Sequence, residues 1–192
     1  MIWKNEYSDC KLDFRECEKL VNEYMNLLYK RGYEPVFFYD EHICGPTYGI
    51  KVNINGYDLT MYFDYLETDE ECGPDLDYYI KFPLNGLTED FMESLNVKYE
   101  KELDDCAFEN LYMYDENEIA EIIENHKNYA EEDGETYEAI DDIEPCITLS
   151  CGYMKQGRKT TLNLEKIIKA LTENGGVVEK IKKEIEFGGL NK

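Results

Sequence analysis

The chain has 192 residues, of which 43% are hydrophobic and 14% aromatic, and its 43 acidic residues outnumber 20 basic ones to give a net charge of −23. This length fits one domain with a sizeable core, and the aromatic content is not that of a disordered acidic tail. Contacts with phosphates need cations, and this chain is strongly acidic. Its composition therefore argues against direct binding to nucleic acid or to an anionic membrane. It favours a basic protein partner instead.

Several features of the sequence indicate a cytoplasmic protein. Residues 1–14 carry charges throughout and contain no apolar stretch, so we expect no signal peptide. No segment approaches the roughly 20 apolar residues needed to cross a bilayer. The seven cysteines stand at scattered spacings, which favours free thiols in a reducing compartment. We therefore expect a location in the cytoplasm, or in the host cytoplasm if the protein is encoded by a phage.

The first predicted element is an amphipathic helix. Asp13 and Glu16 form a capping box at its start, and Gly32 stands where a left-handed C-terminal cap is needed. Apolar residues between these signals recur at helical spacing, which predicts that one face is buried. Those residues are Phe14, Cys17, Leu20, Val21, Tyr24, Leu27 and Leu28.

A β-hairpin is predicted next, centred on Asn55-Gly56, because both positions of this favoured two-residue turn need positive φ. Apolar and polar residues alternate on either side, so one face of the hairpin is apolar and its register is fixed. The predicted pairs are Ile54 with Tyr57, Val52 with Leu59 and Ile50 with Met61. Residues 36–39 and 78–82 predict a strand on each side. We expect an antiparallel meander of about four strands, packed by the first helix.

The C-terminal half predicts mostly helices. Thr88 caps a short helix that ends at Leu95, and residues 97–103 fit no single element. Asp115 and Glu118 form a second capping box, before a helix with an apolar stripe. Residues 145–151 predict a short buried strand, and residues 164–171 and 177–185 predict two more helices.

These elements predict the α+β class. We expect residues 1–192 to form a single acidic domain. In an alternative division, residues 1–100 form a sheet-containing core and residues 101–192 a mostly helical second half.

Acidic residues are concentrated in the middle of the chain. Residues 64–144 hold 28 acidic residues and 4 lysines, a net charge of −24, whereas residues 1–63 have −3 and residues 145–192 have +4. Tyrosines, which interface cores favour, are interleaved with the acids. Spaced carboxylates can imitate the phosphates of a duplex. The predicted partner-binding residues are Asp64, Glu67, Asp69, Glu70, Glu71, Asp75, Asp77, Tyr78, Asp104, Asp105, Glu109, Tyr112, Tyr114, Asp115 and Glu116.

The sequence carries no recognisable catalytic motif. It lacks the Gly-x-Ser-x-Gly, Walker A and dinucleotide-binding patterns, and it lacks the Cys-x-x-Cys pairs typical of zinc sites. We therefore predict no catalytic residue, no metal ligand and no cofactor. The enzymatic alternative is a divalent-metal site at Asp64, Asp75 and Asp77, since Mg²⁺ and Ca²⁺ prefer oxygen ligands.

A small, acidic chain without motifs is similar in composition to phage-encoded anti-defence proteins, which include anti-CRISPR proteins and DNA mimics. This likeness implies an inhibitor that occupies the basic groove of a nucleic-acid enzyme, for example a CRISPR nuclease. One alternative is an immunity protein that neutralises a basic nuclease toxin. Another is a structural or regulatory subunit, which would form a homodimer through the C-terminal helices.

Overall fold

The computed structural model describes residues 15–42, 45–67, 72–84, 86–105, 108, 110–132, 144–150, 154–155, 160–172 and 175–188. The chain divides into two compact units. Unit 1 comprises Met1–Tyr78 and Tyr153–Glu165, and unit 2 comprises Tyr79–Gly152 and Lys166–Lys192. Each unit contains both helix and strand.

Within the described residues, the helices and strands confirm the α+β class. In chain order they are α1 (Arg15–Lys30), β1 (Val36–His42), β2 (Gly45–Ile54), β3 (Tyr57–Glu67), β4 (Cys72–Pro83), α2 (Glu89–Asp105), β5 (Asn110–Tyr114), α3 (Glu116–Glu132), β6 (Cys146–Ser150), β7 (Met154–Lys155), α4 (Thr160–Ala170) and α5 (Val177–Gly188).

Helix α1 has the predicted buried face and the predicted end. Cys17, Val21, Tyr24 and Leu28 are buried. Gly32 has a φ of 84°, its N–H donates to the Tyr29 carbonyl at 3.0 Å, and the Tyr33 N–H donates to the Leu28 carbonyl at 3.1 Å. These two bonds form a Schellman motif, which satisfies carbonyls that the helix itself leaves open. The predicted start at Asp13 lies outside the described residues.

The β2–β3 hairpin confirms the predicted register. Asn55 and Gly56 have φ values of 53° and 86°, as a type I′ turn requires. The pairing aligns the three predicted apolar pairs and adds Tyr48 opposite Phe63. All eight of these side chains are buried, and α1 packs against the two strands, with the Tyr24 ring edge-on to Phe63 at 5.4 Å between centroids.

Unit 1 contains the predicted meander. Its strands follow the order β1-β2-β3-β4, with the short strand β7 paired to the first part of β4. The pairs β1–β2, β2–β3 and β4–β7 are antiparallel. Because the division falls inside β4, the last residues of that strand belong to unit 2.

Unit 2 contains a stretch of the sheet that the sequence predicted only in part. Its strands follow the order β4-β6-β5, and both pairs are antiparallel. Strand β6 confirms the predicted buried strand. Strand β5 was not predicted, and α2 runs ten residues beyond the predicted end at Leu95. In the register of this sheet Ile80, Leu149 and Leu111 share a buried face, and α2 packs against β5.

The expected count of about four strands was therefore too low. Seven strands are present among the described residues. Beyond the meander they include the predicted strand β6 and the short strands β5 and β7, which the sequence did not predict.

Candidate protein-interaction surface

Helices α2 and α3 of unit 2 both expose rows of carboxylates. The acidic strip is defined here as their exposed acidic side chains, which are Glu89, Asp90, Glu93, Glu100, Glu102 and Asp105 on α2, and Glu116, Glu121 and Glu124 on α3. Neither helix has a basic residue in its last turn. Like charges repel within such a strip, so each helix needs other interactions to hold it in place.

Helix α2 is held by α5. The apolar face of α5, formed by Val177, Val178, Ile181 and Ile185, is buried, and α5 packs against α2. At the border of this contact the Lys180 ammonium lies 2.6 Å from a Glu102 carboxylate oxygen. The basic residues of α5 therefore offset part of the negative charge of α2.

A second polar group joins the same two helices. The Glu184 carboxylate accepts hydrogen bonds from Lys98 and from the Tyr99 hydroxyl, the latter at 2.6 Å. Both bonds lower the pKa of Glu184, and the bond from Lys98 has the larger effect. The bond to Glu184 in turn raises the pKa of Lys98. Burial and the same carboxylate raise the pKa of Tyr99. The charged form of the pair is thus favoured at neutral pH.

Helix α3 begins at the predicted cap. An Asp115 carboxylate oxygen accepts hydrogen bonds from the N–H groups of Asn117 at 2.8 Å and Glu118 at 2.9 Å. This confirms the Asp115 half of the capping box. The Glu118 carboxylate accepts a hydrogen bond from the Tyr112 hydroxyl at 2.9 Å, which links the start of α3 to β5.

The predicted tyrosines Tyr112 and Tyr114 form an aromatic pair beside the acidic strip. Their ring centroids are 4.9 Å apart, and the Tyr112 side chain is 48% exposed. The hydrogen bond to Glu118 raises the pKa of Tyr112, because this bond needs the protonated hydroxyl as its donor. An exposed ring held by a neighbouring ring and a carboxylate is suited to contact a partner, because little entropy is lost when it is buried.

The predicted site residues divide among several environments. Asp105 and Glu116 lie in the acidic strip, Asp115 caps α3, and Asp77 is exposed on β4 in unit 1. The backbone of four residues is described but their side chains are not: Asp64, Glu67, Asp75 and Asp104. Four others lie outside the described residues: Asp69, Glu70, Glu71 and Glu109.

One predicted site residue needs correction. Tyr78 is fully buried, because it lies on the inward-facing side of β4. Its side chain therefore contributes to the core and is not available to a partner.

Sequence reasoning missed Glu100 and Glu102 of α2 because it ended that helix at Leu95. The buried residues Met92, Leu95, Tyr99 and Leu103 continue at helical spacing past that point. This spacing is the signal that would have placed Glu100 and Glu102 on an exposed helical face.

Other kinds of site have little support in the described residues. Across the described ranges, no group of three or more histidine, cysteine or acidic side chains is arranged to hold a metal ion. None of the helices in the described part of the chain is long and apolar enough to span a membrane. No protein-family model, curated protein or solved structure matches this chain.

Proposed function

We propose that this protein is an acidic inhibitor of a nucleic-acid enzyme, a CRISPR nuclease being the example favoured by its composition. It would occupy the basic groove of that enzyme and place carboxylates where phosphates of the nucleic acid bind. It would act in the cytoplasm of the cell that contains the enzyme.

The observation that carries this proposal is the concentration of negative charge. Residues 64–144 have a net charge of −24, slightly more than the −23 of the whole chain. In unit 2, two helices from this segment expose the acidic strip. A strip of this kind attracts lysine and arginine side chains and increases the rate of association with a basic groove.

The tyrosine pair supplies what the carboxylates lack. Exposed charges contribute mainly to rate and specificity, whereas affinity depends on a few buried anchors, among which tyrosine is common. Tyr112 is positioned to be such an anchor, because its ring is exposed and its hydroxyl is held by Glu118.

The homodimer alternative gains less support. The apolar residues of α5 are already buried within the chain, and the large hydrophobic side chain that α5 exposes is Phe187. The immunity-protein alternative depends on the same charge complementarity, and the identity of the captured enzyme would distinguish it.

The first experiment is an affinity pull-down against a panel of purified CRISPR nucleases and basic nuclease toxins, at low and at high salt. We expect stoichiometric capture of one of these enzymes, loss of its activity, and weaker capture at high salt because salt screens exposed charges. If no enzyme in the panel is captured or inhibited at low salt, the proposal fails for this panel. Inhibition that does not change with salt would contradict a charge-driven mechanism.

Charge reversal tests the acidic strip directly. In Glu121→Lys/Glu124→Lys both changes lie on the exposed side of α3, and we expect association to slow by about tenfold or more. The matched control is Glu23→Lys/Glu34→Lys, which alters net charge equally at exposed positions of unit 1. Equal slowing in both variants would show that total charge matters and the strip does not.

Tyr112→Ala tests the anchor. Because the ring is half exposed, we expect the fold to remain and the complex to dissociate at least about tenfold faster. The control is Tyr29→Ala, at an exposed tyrosine of α1. An unchanged dissociation rate for Tyr112→Ala would remove Tyr112 from the interface.

A further inference from the structure

Unit 2 contains a cavity that the proposed inhibitor function does not require. Its volume is about 280 Å³, and it is lined by Tyr79, Lys81, Tyr114, Ile122, Cys146 and Thr148. The register of the sheet explains this grouping. Lys81 is opposite Thr148 and Cys146 is opposite Tyr114, so residues from β4, β6 and β5 share one face, and Ile122 of α3 adds a further wall.

The cavity combines an apolar wall with a small polar floor. Cys146 and Thr148 are only 8% and 7% exposed, and the Cys146 Sγ lies 3.8 Å from the Thr148 Oγ1. The other walls are the rings of Tyr79 and Tyr114 and the aliphatic side chain of Ile122. Ligand sites are commonly concave and mostly apolar, with a few polar groups that fix orientation.

Lys81 provides the charge. In the described part of the chain no carboxylate lies within 4.0 Å of its ammonium group, which is 5.3 Å from the centroid of the Tyr79 ring. Lys81 is one of 4 lysines in the segment 64–144, which contains 28 acidic residues. By contrast, Lys98 is paired with Glu184. A cation that pairs with no carboxylate of the described residues, at the edge of an apolar cavity, is complementary to an anion with an apolar body.

The volume is sufficient for a small ring. An enclosed cavity of roughly 150 Å³ holds benzene, so about 280 Å³ accommodates a single substituted ring. Aromatic walls favour a planar ring, which packs offset or edge-on against tyrosine.

We propose that the cavity between α3 and the β4-β6-β5 sheet binds a small aromatic carboxylate. The ring lies between Tyr79, Tyr114 and Ile122, and Lys81 binds the carboxylate. This binding does not require the exposed carboxylates of the helices, although Tyr114 belongs both to the cavity and to the tyrosine pair of the proposed interface.

The test is a titration of ¹⁵N-labelled protein, followed by NMR, with 4-hydroxybenzoate as probe. Its neutral analogue 4-hydroxybenzyl alcohol and its cationic analogue 4-hydroxybenzylamine are compared. We expect saturable shifts at residues 79–81, 114 and 146–148 for the carboxylate, and affinity at least about tenfold weaker for the other two. No saturable binding of the carboxylate, equal binding of all three compounds, or shifts confined to other residues would each overturn the proposal.

Two variants complete the test. Lys81→Met removes the charge at an exposed side chain, and Lys101→Met is the matched control at an exposed lysine of α2 that does not line the cavity. We expect about tenfold weaker binding for the first variant only. Ile122→Trp fills the cavity from α3 and should abolish the shifts. A folded Ile122→Trp protein that binds as well as the unchanged chain would contradict the proposed location.

Discussion

The β2–β3 hairpin of unit 1 and strand β5 of unit 2 meet the same requirement in different ways. Every backbone N–H and C=O in a sheet needs a partner. In the hairpin a two-residue turn and an alternating pattern align each strand with its neighbour in the chain. Strand β5 is the last in the order β4-β6-β5, so among the described residues one of its sides has no neighbouring strand.

A side chain from α2 replaces the missing strand at the centre of β5. The Leu111 N–H donates to the Asn96 Oδ1 at 2.8 Å, and the Asn96 Nδ2 donates to the Leu111 carbonyl at 2.9 Å. The amide thus forms the two bonds that an adjacent strand would form. This contact also protects the edge, since an open edge strand can pair with another chain.

The comparison shows that a strand can be fixed by its own neighbours in sequence or by a residue on another element. The first kind is visible as a pattern. The second depends on a helix that packs at the right position. The variants below test each kind, in order of expected effect.

Leu59→Ala should produce the largest loss of stability, because Leu59 is 1% exposed and pairs with Val52 on the apolar face of the hairpin. We expect the free energy of unfolding to fall by about 3 kcal/mol. The measurement is urea denaturation followed by circular dichroism. Lys51→Ala, at an exposed position of the same hairpin, is the control and should cost far less. Equal losses would show that burial of the apolar face does not hold the hairpin.

Asn96→Ala should cost about 2 kcal/mol, because it leaves the two backbone groups of Leu111 without partners in a part-buried position. Asn128→Ala, at an exposed asparagine of α3, is the matched control. Amide hydrogen exchange should become faster at Leu111 in the first variant only. Unchanged exchange at Leu111 would mean that another group satisfies the edge.

Gly56→Ala should cost about 1 kcal/mol, because alanine resists the positive φ of 86° that the turn requires. Gly56→Asn provides the comparison, since asparagine tolerates the left-handed region better. In thermal denaturation, Gly56→Ala should have a lower midpoint temperature than Gly56→Asn. A Gly56→Ala protein as stable as the unchanged chain would show that the apolar register alone is sufficient to form the hairpin.

Tyr48→Phe should have its main effect only at alkaline pH. Burial, followed by the nearby Glu18, raises the pKa of Tyr48 from 10.0 to about 12. A raised pKa in the folded state means that folding favours the protonated form of Tyr48. The contribution of Tyr48 to stability is therefore fully present below pH 10 and is lost as the pH rises through about 12.

Urea denaturation of both proteins at pH 9 and pH 11 tests this prediction. The unchanged chain should lose more stability than Tyr48→Phe between the two values. Equal losses would mean that other tyrosines account for the alkaline transition.

Local sequence signals predicted much of unit 1 correctly. The end of α1 at Gly32, the Asn55-Gly56 turn and the register of the hairpin each depend on residues that are close in the chain. The same holds for the cap of α3 at Asp115. In each case the required backbone conformation is one that few residue types favour.

The prediction was less successful for the site. Composition located the negative charge and selected Tyr112, which is exposed, but it also selected Tyr78, which is buried. Tyrosine is common both in cores and on interfaces, so its presence beside acidic residues does not reveal which side of a strand it occupies. Only the alternation of Tyr78, Ile80 and Phe82 on β4 identifies its face.

The sequence by itself determined the α+β class, the principal helix end and turn, and the concentration of acidic residues, because turn chemistry, periodicity and charge are properties of neighbouring residues. The tertiary structure decided that β5 is a strand, that Asn96 completes its edge and that Tyr79, Lys81, Tyr114 and Ile122 line one cavity. These features join residues that are far apart in the chain, and such contacts form only when helix and sheet pack together.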